Sequence, residues 1–322
     1  MSEKFVVIGA SSFSGQAFCR YAIGKGFEVV EVSRPQFDLL SEERGPIAIG
    51  NLIAKECPDY VVNFAALNMV AESWEHYADY YRVNLLALSR LVGHFDPTAL
   101  PFQKWIQVST PEVYGTQHDF LTEDTPYKPS TPYAVSRAAF DMHLAAMFRN
   151  TGFPVVFMRS ANVYGDGQQP YRIIPKTVLK ILRGEKLELH GGGVSVRSFI
   201  HIDDVASSIV AAADKGRAGE VYHTSTVQMI AIRDLVQNIC DLLMVRFEQH
   251  VEVCEERPGK DHAYLMDSRK ARKELAWADK ISLTEGLPKA VRWFQHYADE
   301  YANKSLEYQH RERQNEDHPI DH

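Results

Sequence analysis

Along the first 160 residues, short apolar runs alternate with stretches of helical period. Phe5 to Ile8 is nearly continuous apolar chain, and Ser14 to Ile23 repeats at helix spacing until Gly24 and Gly26 stop it. Glu28 to Val32 and Tyr60 to Phe64 are again strand-like, with a helical stretch over 46–56 between them that ends before Pro58. Tyr77 to Phe95 has the pattern of a long amphipathic helix, and Trp105 to Val108 that of a strand. A second long helix starts just after Pro132, carries Val135, Ala139, Met142 and Ala146, and stops at Gly152; Val155 to Met158 is the next strand. Strands this apolar must be covered on both faces. Their alternation with helices predicts an α/β fold built on a doubly wound parallel sheet.

Beyond about residue 165 the pattern breaks into shorter pieces. A loop rich in Gly, Gln and Pro precedes a helix over Pro175 to Leu182, and a short strand runs into the three glycines at 191–193. Mixed elements follow, up to a helix near 284–298. This predicts a smaller α/β domain interleaved with the sheet: residues 1–165 form the sheet domain, 199–225 return to it, and 166–198 with 226–302 form the second domain. Residues 303–322 are polar and charged, and predict a loosely held tail.

Charge and composition narrow the class. With 35 basic and 42 acidic residues in 322, the chain carries −7 and lacks the basic footprint of a nucleic-acid binder. No apolar run approaches the roughly 18 residues that a membrane span needs. The opening MSEKFVVIGA reads as a first strand rather than a secretion signal. Cys19, Cys57, Cys240 and Cys254 are scattered without a CxxC pair, which argues for a reducing compartment and against structural zinc. The expectation is a cytoplasmic enzyme without a metal site.

Two segments carry candidate chemistry. The first strand runs into Gly9-Ala10-Ser11-Ser12-Phe13-Ser14-Gly15 and then a helix. Glycines at such a turn let the backbone approach a dinucleotide pyrophosphate, which sits at the helix N-terminus. Here Gly9 and Gly15 frame the turn, but Ser12 stands where a middle glycine is usual, and no GK[ST] follows, so it is not a P-loop. The second strand ends in Ser33-Arg34 rather than an acid. Arg34 there slightly favours NADP over NAD, unless Asp38 contacts the adenosine instead. Further on, Ser109-Thr110-Pro111-Glu112-Val113-Tyr114-Gly115 follows a strand, and Tyr133 and Arg137 lie four apart at the start of a helix. A cation beside a phenol lowers its pKa from about 10, so Tyr133 is a candidate base, with the Thr110 hydroxyl placed to hold the same substrate oxygen.

These segments resemble the extended short-chain dehydrogenase/reductase superfamily, specifically its nucleotide-sugar epimerases and dehydratases and most closely the dTDP-glucose 4,6-dehydratases. The resemblance runs to about residue 298. It rests on VVIGASSFSG, VVNFAA, YRVNLLA, STPEVYG, the PYAVSR helix, RSANVYGDGQQPYRIIP, VRSFIHIDDVA, EVYHTS and ERPGKDHAYLMDSRKARKELAW, in that order. It implies a Rossmann-like fold and a tightly held, recycled NAD or NADP contacted by Gly9, Ser11, Ser12, Phe13, Gly15, Arg34, Asp38, Ala65, Asn84, Tyr133 and Arg137. It also implies an NDP-hexose substrate oxidised at C4 and a homodimer formed through the two long helices. Residue by residue, Tyr133 matches the base, Thr110 its hydroxyl partner, and Glu112 the glutamate that removes the C5 proton. Asn84 matches a structural or proton-relay asparagine. Asn162, Arg197 and Arg257 match groups that hold the sugar and diphosphate, a task suited to the planar guanidinium fork.

Three departures stand out. The dehydratases carry an acid pair where this chain has Pro111-Glu112, so the aspartate that would protonate the departing C6 hydroxyl is missing. Arg137 replaces the YxxxK lysine, keeping the charge but not the hydrogen-bond geometry. Leu67-Asn68-Met69-Val70 replaces a polar segment. Dehydration could still proceed with Glu112 as both base and acid. A 4-epimerase, or a decarboxylase acting on an NDP-uronate, would need no aspartate at 111. A binding or regulatory protein that retained the fold is the reading from outside enzymology. His201-Ile202-Asp203-Asp204 reads as a strand end running into a helix capped by Asp203 or Asp204, not as metal ligands. The aromatic stripe Trp74, Tyr77, Tyr80 and Tyr81 reads as core and dimer packing.

Overall fold

The computed structural model describes residues 2–115, 120–255 and 265–310. Six strands form one parallel sheet: β1 (Lys4–Ile8), β2 (Glu28–Val32), β3 (Tyr60–Asn63), β4 (Lys104–Val108), β5 (Val155–Ser160) and β6 (Val221–Thr224). Their order across the sheet is β6-β5-β4-β3-β1-β2. The chain leaves β1 for one neighbour and later crosses back to place β3 on its other side. In open α/β sheets that switch point, outside the carboxyl ends of the strands, is where ligands bind.

The apolar runs face both ways because successive strand residues point to opposite sides. Phe5 and Val7 join a core with α1 (Phe13–Gly24), whereas Val6 and Ile8 join a second core on the other face. That second core is closed by α2 (Pro46–Glu56), by the helical run α3 over 77–92, and by α4 (Pro132–Thr151). The smaller lobe has its own core, built from α5 (Ile173–Leu182) together with later helices. Helix α6 (Ile202–Lys215) returns to lie beside α1 under the sheet, while α7 (Ile232–Leu242) and α8 (Leu283–His296) belong to the smaller lobe.

Four local features differ from the sequence expectation. Helix α3 ends at Val92 and contains a π-helical stretch, Arg82–Ala87, whose wider winding periodicity reasoning does not register. Helix α5 begins at Ile173, two residues before Pro175. The cap of α6 is His201, whose Nδ1 accepts the Asp203 amide at 3.2 Å; neither Asp203 nor Asp204 caps it. Asp204 instead accepts the Lys280 and Ile281 amides, each at 2.9 Å, tying α6 to the segment before α8.

The fourth difference concerns the tail. Residues 303–310 are docked rather than loose. Leu306 is buried in the smaller lobe's core, Lys176 pairs with Glu307, and Arg183 donates to the Lys304 carbonyl at 2.8 Å. The His310 ring stacks on His76 at 3.9 Å, and its Nε2 lies 3.1 Å from the Asp79 carboxylate on α3. The segment therefore straps one lobe to the other. Its anchors, Leu306 and the rings of Tyr308 and His310, lie too far apart in a charged background to form a periodic pattern.

Candidate active site

At the end of β1, Gly9 adopts φ +81°, and a Cβ there would lie 2.8 Å from the Ala65 amide nitrogen. A Cβ on Gly15 would lie 2.3 Å from the Gly9 carbonyl oxygen. Both positions thus require glycine, one for its conformation and both for close backbone approach. Ser12 caps α1, its Oγ accepting the Gly15 amide at 3.0 Å, so the residue in place of the middle glycine closes the turn. The glycine turn leads straight into the N-terminus of a twelve-residue helix. That cradle fits a dinucleotide pyrophosphate.

Two adjoining cavities open there. The first, about 230 Å³, is lined by Gly9, Ser11, Ser12, Arg34, Asp38 and Ala65, which lie at the ends of β1, β2 and β3. Both residues weighed for discriminating NAD from NADP line this one pocket. The second is a cleft of about 680 Å³ that shares Ser12, Phe64 and Ala66 with the first. It brings together Phe13, Thr110, Glu112, Tyr133, Arg137, Asn162 and Arg197 from both lobes. Arg257 lies outside the described residues.

The turn after β4 carries Thr110 and Glu112. Thr110 caps the short helix Pro111–Tyr114, its Oγ1 accepting the Glu112 amide at 3.3 Å, and its hydroxyl is close enough to the Tyr133 phenol to favour the ionised form. On α4, Arg137 is buried and donates through Nη2 to the Val108 carbonyl at the end of β4. Burial pushes the Tyr133 phenol above its usual range; Arg137, the Thr110 hydroxyl and Arg172 act in the opposite sense, and Glu112 adds to the rise. The lowering expected from Arg137 is present but outweighed by desolvation. Asn162 lies at the cleft with its amide donating to the Ser198 carbonyl at 3.1 Å, and Arg197 donates to the Val196 carbonyl at 2.9 Å.

Asn84 is placed differently from the cofactor-contacting role. It is 1% exposed and clamps both backbone groups of Leu67, at 2.8 and 2.9 Å, while donating to Ser136 Oγ at 3.0 Å. Its amide is thus engaged within the protein. The π-helical stretch turns it toward Leu67 and so fixes the start of the segment whose Asn68, Met69 and Val70 wall the cleft. Sequence reasoning did not single out Gln168, Tyr171 or Arg172, which also line the cleft. The signal was there in PYRIIP, a basic and an aromatic residue at the mouth of a helix.

The aromatic stripe divides. Tyr80 is fully buried, its hydroxyl donating to the Met69 carbonyl at 2.7 Å, but Trp74 and Tyr77 are 61% and 55% exposed. No group of His, Cys, Asp and Glu among the described residues is arranged to hold a metal. No described helix is long and apolar enough to cross a membrane.

Comparison with known proteins agrees with this geometry. Residues 5–225 match the model of the NAD dependent epimerase/dehydratase family. The chain is 31% identical over 325 residues to a dTDP-glucose 4,6-dehydratase of Xanthomonas campestris pv. campestris, covering 90% of this chain and 92% of that one. It is 32% identical over 250 residues to a trifunctional UDP-glucose 4,6-dehydratase/3,5-epimerase/reductase of Arabidopsis thaliana; that match takes in 76% of this chain but only 37% of the plant protein, so the chain spans well under half of that relative. Among solved structures, the dTDP-glucose 4,6-dehydratase DesIV of Streptomyces venezuelae, determined with NAD bound, superposes with a TM-score of 0.80 at 28% identity, covering 91% of this chain and 97% of that one. The match over residues 5–225 and these relatives establish that the chain belongs to the NAD dependent epimerase/dehydratase family.

Proposed function

We propose that the protein is a nucleotide-sugar 4,6-dehydratase that uses NAD(P) and acts on an NDP-hexose. The observation that carries this reading is the cleft's chemistry. Tyr133 and Thr110 share the cleft with Glu112, the one carboxylate among its described lining residues. The Gly9–Gly15 turn, with Ser11, Ser12 and Phe13, would hold NAD(P), which would supply reversible hydride transfer to and from the sugar. Tyr133 takes the C4 hydroxyl proton while Thr110 holds the same oxygen. A carbonyl at C4 acidifies the C5 proton, which Glu112 removes. With Pro111 in place of an acid, Glu112 also delivers that proton to the C6 oxygen as water leaves; once C6 is reduced, Glu112 returns a solvent proton to C5 and Tyr133 gives its own up to solvent. Asn162, Arg197 and Arg257 hold the sugar and diphosphate, Arg137 fixes the end of β4, and Arg34 and Asp38 meet the adenosine.

A homodimer through α3 and α4 accompanies this reading. It is supported by Tyr77, Leu86, Val135 and Met142, which are large, apolar and exposed on those two helices. We place the protein in the cytoplasm, a placement supported by four cysteines that stand as free thiols. Pro111 favours one alternative, an NDP-sugar 4-epimerase or NDP-uronate decarboxylase using the same Tyr133 step. Incubation with dTDP-, UDP-, GDP- and CDP-hexoses, followed by NMR, decides between them. A 6-deoxy-4-ketose supports dehydration. Its absence with every sugar, together with clean C4 inversion of any one, removes that reading.

A further inference from the structure

A buried polar cluster lies behind the turn that carries Thr110 and Glu112. Helix α4 presents Tyr133, Arg137 and Asp141 at i, i+4 and i+8, one face of the helix. Each addresses one of three successive residues at the end of β4. Arg137 donates to the Val108 carbonyl, Asp141 accepts the Ser109 hydroxyl at 2.5 Å, and Tyr133 meets the Thr110 hydroxyl. Asp141 in turn pairs with Arg159 on β5 at 2.9 Å, and both side chains are fully buried. Arg159 lies between the rings of Tyr114 and Tyr127, 4.8 Å from each centroid, and donates to both phenols. Tyr114 is the last residue of the short helix that begins at Pro111. One ion pair therefore holds both ends of the turn, Ser109 at its start and Tyr114 at its finish.

Neither Asp141 nor Arg159 lines the cleft, so neither reaches a ligand there. The pair is also poorly built as a pure stability device. Buried ion pairs recover little beyond their desolvation, and Asp141 Oδ1 and Arg159 Nε have no hydrogen-bond partner among the described residues. We propose that Ser109, Asp141 and Arg159 form a positioning unit that sets the Thr110 hydroxyl against Tyr133. The unit works through the turn: Thr110 favours the phenolate only while its hydroxyl stays within hydrogen-bond reach. Ser109 is the joint between the ion pair and the turn, and removing its hydroxyl leaves the ion pair itself intact.

This inference rests on Tyr133 being the proton-transfer group, so its test includes a readout that needs no substrate. The full chain is labelled with ¹³Cζ-tyrosine, and the Tyr133 resonance is assigned by its loss in Tyr133→Phe. In Ser109→Ala that resonance shifts, and in Ser109→Thr, which keeps the hydroxyl, it returns to the wild-type position. Turnover of whichever hexose of the NMR panel the wild type converts falls about tenfold in kcat in Ser109→Ala, with KM within about twofold of wild type. The acid limb of its pH–kcat profile moves up by about half a unit, as a phenol that has lost a hydrogen-bond donor requires. Ser109→Thr restores both. An unmoved resonance and pH limb in Ser109→Ala overturn the proposal whatever happens to the melting temperature, as does failure of Ser109→Thr to restore them at wild-type stability. If the wild type converts no sugar, the proposed activity fails separately and the resonance comparison alone decides.

Discussion

Individual side chains in this protein take their properties from burial more than from their sequence neighbours. Tyr133 has a guanidinium one helical turn away, yet desolvation dominates its proton affinity. Its role is checked by Tyr133→Phe, which should lower turnover by about 10²–10⁴-fold in the NMR assay while the melting temperature stays near that of wild type. Glu112→Gln should abolish deuterium incorporation at C5 when the reaction runs in D₂O, because no other described carboxylate lines the cleft. His223 offers a pH prediction. Burial, and after it the nearby Arg159 charge, lowers its pKa to about 3, and its Nε2 lies 2.7 Å from the Tyr114 hydroxyl. A histidine of unfolded pKa near 6.5 held neutral in the fold binds protons more readily when unfolded, so stability falls as pH drops below about 6.5. The contribution lost between pH 7 and 5 is about 2 kcal/mol, and urea titrations at the two pH values should show His223→Gln losing correspondingly less than wild type.

At the scale of elements, α4 is the organising piece. It covers the sheet with Phe140 and Leu144, and its first turn places Tyr133 in the cleft. The apolar row Val135, Ala139, Met142 and Ala146, which announced this helix in the sequence, is its outward face; the buried face is Ala134, Ala138, Asp141 and Leu144 with Phe140. A charged residue in the buried row made that row hard to recognise. The docked segment 303–310 makes a second prediction. Leu306→Ala should cost about 2–3 kcal/mol by denaturant melting, as loss of a buried leucine does, and deletion of 303–322 at least as much. A deletion as stable as wild type would return the segment to the status of a loose tail.

For the whole molecule, two lobes with separate cores meet at a cleft walled by residues from both, and the strap from Leu306 to His310 spans them. The outward apolar positions of α3 and α4 make the oligomer testable. Leu86→Glu combined with Met142→Glu should give a monomer in sedimentation velocity from a dimeric wild type, and a monomeric wild type would sink the dimer reading. The net charge of −7 is a sum over the whole chain; Arg34 and Arg197 place positive charge locally in the lining of the two cavities.

The alternation of apolar strands and helices fixed the class of sheet, since a parallel strand covered on both faces has to be apolar throughout. The glycine turn, Thr110, Glu112, Tyr133 and Arg137 were legible because each belongs to a short local pattern. Other features depended on contacts between distant residues. These were the pairing of Asp141 with Arg159, the occupation of Asn84 by Leu67 and Ser136, His201 rather than an aspartate as the cap, and the docking of 303–310. Sequence patterns carry local periodicity and turn chemistry, which are set by bonds along the chain. A buried charge or a docked segment is decided by which partner the completed fold brings within hydrogen-bond reach, and only the tertiary structure supplies that.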